Sequence, residues 1–113
     1  MFLNEIKKVL LEGVDLSLLA QAIRDNKAIS FKYEDNKGSR VIEPKLIGNT
    51  KSGKAAIRAF QISGGTKTKN REWKIFLTSK MSDLELLDQE QIERPKYNPS
   101  GDAEFRNIVL QQN

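Results

Sequence analysis

The chain has 113 residues, room for one domain with a modest core, and it contains neither cysteine nor histidine. That composition excludes disulfides, thiolate nucleophiles and zinc sites built on cysteine or histidine, and it removes the commonest general base. Nineteen Lys+Arg against fifteen Asp+Glu leave a net charge of +4, and the distribution is uneven. Residues 51–80 carry Lys51, Lys54, Arg58, Lys67, Lys69, Arg71, Lys74 and Lys80 against Glu72 alone, a net of +7, while residues 83–113 sum to −4. Such a split fits an anionic partner, and it equally fits a solvated basic surface with its own acidic counter-face.

Two helical patterns come first. Ile6, Val9 and Leu10 share one stripe that Gly13 ends. Asp15 is placed as N-cap of a second helix carrying Leu16, Leu19, Ala20 and Ile23, with Asp25-Asn26 as its stop. From residue 28 the period changes to two: Ile29, Phe31 and Tyr33 alternate with Ala28, Ser30 and Lys32, the mark of a half-buried strand. Asp35 to Gly38 reads as a hairpin turn, and Arg40 to Ile47 as the return strand, with Pro44 forcing an edge, a bulge or a break.

After a turn at Asn49–Gly53, Ala55 to Ser63 reads as a strand apolar on both faces, with Ile57 and Ala59 on one and Phe60 and Ile62 on the other. Gly64 to Arg71 is a polar loop. Trp73, Ile75 and Leu77 define a fourth strand, and Leu84 to Leu87 a short fifth. Pro95 and Pro99 mark an irregular crossing, and Asp102 is expected to cap a final helix bearing Phe105, Ile108 and Val109. The expected fold is α+β: about five short strands in a small, strongly bent antiparallel sheet, with N-terminal helices and a C-terminal helix. One domain spans 1–113, divided into an N-terminal helix at 1–15, a helix plus barrel at 16–87 and an extension at 88–113.

No apolar stretch approaches the ~20 residues of a membrane span, and the first residues lack a signal-peptide pattern. The expectation is a cytoplasmic protein without a membrane partner.

The residues at 16–87 resemble the WYL domain, an Sm-like or SH3-like β-barrel module of bacterial regulators. The resemblance runs through Leu19-Ala20-Gln21-Ala22-Ile23, Ile29-Ser30-Phe31-Lys32-Tyr33, Arg40-Val41-Ile42-Glu43-Pro44, the strand Ala55–Gln61 and the late strand Trp73–Met81. Ala55-Ala56-Ile57 stands where the family carries its naming triplet, and Lys74 and Lys80 stand where arginines are usual. Only about 28 residues precede the barrel, too few for the DNA-reading domain of the fuller regulators. The chain is more similar to short, stand-alone WYL-like proteins of bacteria and their phages.

The resemblance implies a non-catalytic ligand-binding surface, with nucleic acid (single-stranded DNA or RNA) or a nucleotide-like anion as partner and a regulatory or accessory role. Carried over residue by residue, the candidates are Tyr33, Arg40, Arg58, Gln61, Ser63, Lys74 and Lys80, with Lys67, Lys69 and Arg71 as loop contacts. Their chemistry is coherent on its own terms. Arginine offers a rigid fork to phosphate, lysine a mobile charge, and Tyr33 and Trp73 offer stacking faces. Each also has a plainer reading: Tyr33 and Trp73 as core residues, Arg58 as half of an ion pair, the loop lysines as solvated charge. No cofactor and no metal are expected, since Asp83, Glu85 and Asp88 lack metal-loop spacing and no phosphate loop, dinucleotide fingerprint or nucleophile–base pattern occurs. The alternative function is a protein-interaction or oligomerisation module using the first helix and the acidic C-terminal segment.

Overall fold

A computed structural model describes residues 16–34, 38–64, 72–98 and 101–112. The expected first helix over Ile6, Val9 and Leu10, the Asp15 cap, the turn residues Asp35–Lys37 and the loop cations Lys67, Lys69 and Arg71 lie outside the described residues.

The helix α1 spans Leu16–Asp25, and it buries Leu16, Leu19, Ala20, Ala22 and Ile23. Asn26 ends it in the left-handed region, with φ 61°. Six strands follow: β1 (Lys27–Tyr33), β2 (Ser39–Thr50), β3 (Ala55–Gly64), β4 (Glu72–Leu77), β5 (Met81–Glu90) and β6 (Phe105–Gln111). All pairings are antiparallel, in the order β4-β3-β2-β1-β5, with β6 paired to β2.

The twelve-residue β2 organises this sheet. One edge pairs with β3 from Arg40 to Asn49. The other is shared: Ser39–Ile42 pair with β1, and Leu46–Thr50 pair with β6. Pro44 falls in the gap between them, which is why a residue without an N–H sits inside a central strand. A register shift between Pro44 and Leu46 shows that, of the alternatives at this proline, the bulge is realised.

The sheet is curled but not closed. Its outermost strands, β4 and β5, are joined only by the 3-10 turn Thr78–Lys80. Flat, the five-strand path would separate them by about 19 Å, whereas four peptide steps reach at most about 14 Å. The sheet must bend to bring them together, and β4 and β5 are not paired with each other. Inside the bend, Phe31 and Phe76 meet edge to face at 5.1 Å between ring centres.

Side chains opposite one another across the ladder share a face. Ile57 with Phe76 and Ala59 with Lys74 point inward, and Ile57, Ala59 and Phe76 join Ile29, Phe31, Ile42 and the apolar stripe of α1 in the main core. Arg58 with Ile75 and Phe60 with Trp73 point outward. There Leu46, Ala56 and Phe105 form a second, smaller core, with Ile75 and Leu77 against it.

Two expectations are corrected. The final segment is strand β6, not a helix. Phe105–Gln111 is seven residues, too short for a helix to be stable by propensity, and the open edge of β2 offers it an antiparallel partner over Leu46–Thr50. β5 runs ten residues from Met81 rather than four, because the left-handed Asp83 (φ 54°) breaks the two-residue period that would have revealed it. No helix among the described residues is long and apolar enough to cross a membrane.

Candidate functional site

The inward face at one end of the sheet gathers most of the expected residues. Arg40 is 4% exposed. Its guanidinium lies 5.2 Å from the ring centre of Tyr33 and 5.7 Å from that of Phe76, and it donates to Gln61 Oε1 at 3.4 Å. Gln61 is fully buried, and its Nε2 donates to the carbonyl of the exposed Ser63 at 3.4 Å. Tyr33 is half-buried, with its ring edge to face with Phe31 and Phe76. It is a core-rim residue rather than an open stacking platform.

Lys74 and Lys80 flank this group. Lys74 is on the inward face of β4, two residues from Phe76 and opposite Ala59. Lys80 follows β4 in the 3-10 turn, next to Met81, the pairing partner of Tyr33, and it bridges to Glu34 at 3.3 Å. β3 ends at Gly64, opposite Arg40, and β4 begins at Glu72, opposite Gln61; Lys67, Lys69 and Arg71 fall between these two positions in the sequence.

Arg58 does not belong to this group. It lies on the outward face, where Asp102 accepts from its Nε at 2.7 Å and from one terminal nitrogen at 3.2 Å. Glu104 lies 3.5 Å from the same nitrogen. Burial opposes both charges. The Asp102 hydrogen bonds and the nearby carboxylates nevertheless hold Arg58 above its ordinary pKa, and the Arg58 bonds and the Glu104 N–H hold Asp102 below its own. Arg58 is thus half of an ion pair. Asp102, expected to cap a helix, instead supplies its counter-ion, with Glu104 beside it.

The described residues 91–98 and 101–104 cross that outward face. Arg94 forks onto Glu43 with two 2.8 Å bonds, although the two side chains are only 6% and 1% exposed. The Glu43 hydrogen bond is the main reason that Arg94 titrates above its usual value, against a smaller opposing effect of burial. The Arg94 guanidinium also lies 4.5 Å from the ring centre of Phe60. Phe60 meets Trp73 edge to face at 5.3 Å, Trp73 stacks on Tyr97 at 5.6 Å, and the indole N–H donates to the Pro95 carbonyl at 2.7 Å. The acidic tail thus neutralises part of the basic middle by direct contact.

Behind this crossing, a polar cluster fills the gap between β1 and β6. Gln91 Nε2 donates to the carbonyls of Lys27 (2.8 Å), Pro44 (3.1 Å) and Ala22 (3.4 Å). Lys45 donates to Gln112 Oε1 at 2.9 Å. Burial, aided by the charge of Arg94 and opposed by Glu43, lowers the Lys45 pKa. The phenol of Tyr97 donates to the Gln112 carbonyl.

Sequence reasoning missed Glu43, Arg94, Asp102 and Tyr97. The acidic tail and the lone tryptophan were visible as signals, but their partners lie 22 to 51 residues away in the chain. Among the described residues, no group of three or more Asp and Glu side chains is arranged to hold a metal ion. Compared with known proteins, the chain matches no family model and no curated protein.

Proposed function

We propose that this chain is a non-catalytic, WYL-like module whose curled sheet is an open variant of the Sm/SH3-like barrel. Its ligand is a single-stranded nucleic acid, or a nucleotide-like anion, and its role is regulatory or accessory. The observation that carries this reading is the grouping of Arg40, Lys74 and Lys80 with Gln61 and Tyr33, beside both anchors of the segment bearing Lys67, Lys69 and Arg71. Lys74 and Lys80, both only partly buried, suit phosphate contacts, while the buried Arg40 and Gln61 contribute fixed charge and orientation from within. The lack of histidine and cysteine is in keeping with holding an anion rather than transforming it. Arg58, already engaged by Asp102, is left out of this interface.

Fluorescence anisotropy with a labelled oligodeoxythymidine at two salt concentrations tests the reading. Binding should weaken as salt rises, and each phosphate contact removed by Lys74→Glu or Lys80→Glu should reduce the log–log salt slope by about 0.7. No binding at low salt would refute the function. Binding indifferent to both substitutions would refute the placement.

A further inference from the structure

A second concavity lies on the opposite, outward face, beneath the crossing segment. It is a cleft of about 280 Å³, walled by Trp73 and Tyr97, floored by Leu46, and closed by Arg58, Lys96, Asn98, Asp102 and Gln111. Its chemistry differs from that of the basic end. One wall is aromatic, and the charged lining is two cations and one carboxylate, with the exposed Glu104 beside Arg58 just outside it.

The state of those polar groups narrows the guest. Both Asp102 oxygens are occupied by Arg58, and one of them also accepts the Glu104 N–H at 3.0 Å. The carboxylate is spent and attracts no second cation. Arg58 commits Nε and one terminal nitrogen to Asp102 and Glu104, while its other terminal nitrogen has no bond to any described residue. That nitrogen belongs to a half-buried guanidinium lining the cleft, so an acceptor placed there gains a charge-assisted hydrogen bond. Lys96 supplies the second cation at the rim, from a left-handed backbone position at φ 64°. The Gln111 amide is tied to the carbonyls of Asn98 (2.7 Å) and Gly101 (3.4 Å), which fixes the remaining wall.

We propose that this cleft binds a small planar aromatic anion, of the size of one nucleoside monophosphate or an aromatic carboxylate. Its ring lies against Trp73 and Tyr97, and its negative group meets the uncommitted nitrogen of Arg58 and the ammonium of Lys96. The volume suits a monomer and is too small for a strand of nucleic acid. The site is separate in location from the interface proposed above, and either can fail without the other.

Trp73 is the only tryptophan and lines this cleft, so its fluorescence reports on occupancy there, and the Lys96 and Arg58 variants assign the signal to the cleft. The full chain is titrated with adenosine monophosphate, with indole-3-carboxylate, and with adenosine and inorganic phosphate as half-ligands. A saturable change in Trp73 emission is expected with at least one of the two aromatic anions, and which of them binds tighter identifies the negative group. Each half-ligand should bind at least about tenfold more weakly. Lys96→Glu, at an exposed turn position, should raise Kd about tenfold or more with an unchanged far-UV spectrum. Arg58→Lys, which keeps a charge for Asp102 but removes the spare nitrogen, should do the same. Absence of saturation with both aromatic anions overturns the proposal. So does equal binding of inorganic phosphate, or an affinity indifferent to Lys96→Glu.

Discussion

The phenolic oxygen of Tyr33 accepts the backbone N–H of Leu77 at 3.0 Å, tying the first strand to the fourth across the inside of the curl. These strands are three places apart in the sheet order, so the bond exists only because the sheet bends. Tyr33→Phe keeps the ring against Phe31, Phe76 and Arg40 but leaves the Leu77 N–H without its acceptor. The expected cost is about 1–3 kcal/mol, read as a lowered urea midpoint. A urea midpoint unchanged by the substitution would show that the Leu77 bond contributes nothing to the bend.

The buried fork between Glu43 and Arg94 makes a different prediction. Arg94→Met strands a carboxylate that is 1% exposed, and a loss of about 3–5 kcal/mol is expected. Replacing both partners, Glu43→Met with Arg94→Met, should recover most of that loss, since an apolar pair avoids desolvating two charges. Chemical denaturation of the single and double variants reads the difference. A double variant as unstable as the single would show that the fork contributes more than charge balance.

Acid should release the crossing segment at Asp102. Its carboxyl titrates below its ordinary value when folded, so the folded state takes up the proton less readily than the unfolded chain. The stabilisation is complete above the ordinary carboxyl range and is lost as pH falls through the lowered folded value. Asp102→Asn should therefore cost about 1–3 kcal/mol at neutral pH, and the gap from the parent should close in acid. Denaturation curves at a series of pH values test this, and a gap that stays constant with pH would contradict it.

At Gly48, β2 and β6 lie too close together for a side chain. A Cβ there would stand 2.2 Å from the Asn107 carbonyl oxygen and 3.1 Å from Ile108 Cα, both backbone atoms that cannot rotate away. Gly48→Ala should cost about 1–3 kcal/mol or more. It should also abolish hydrogen-exchange protection at Ile108 and Leu110 while sparing the β1–β2 ladder. Preserved protection in β6 would refute the close approach.

Local patterns revealed the parts of this fold that local physics decides. The alternation Ile29-x-Phe31-x-Tyr33, the two-sided apolar run at 55–63 and the stripe Leu16, Leu19, Ala20, Ile23 became β1, β3 and α1 close to where their periods placed them. The proline at 44 was legible as an irregularity. That it marks a fork in the sheet was not, because a single sequence does not display which strands share an edge. The same limit applies to charge. Arg58 stood out as a mid-strand cation, but its partner Asp102 lies 44 residues away, in a stretch whose charges also suit the start of a helix. Phe105–Gln111 satisfies either period over so few residues, and tertiary pairing decided between them.

The shared edge of β2 also bears on how the chain is made. Strands β1 to β4 form a meander of near neighbours, but Leu46–Thr50 wait for β6, whose pairing residues follow about sixty positions later. Until that strand emerges from the ribosome, half of the central strand presents unmatched N–H and C=O groups next to the apolar side chains of Leu46 and Ala56, the kind of template on which nascent chains cross-pair. Glu43, Lys45 and Pro44 sit at the start of that open stretch, two charges and a missing donor, and they are the residues best suited to discourage a foreign strand from docking before the chain's own arrives.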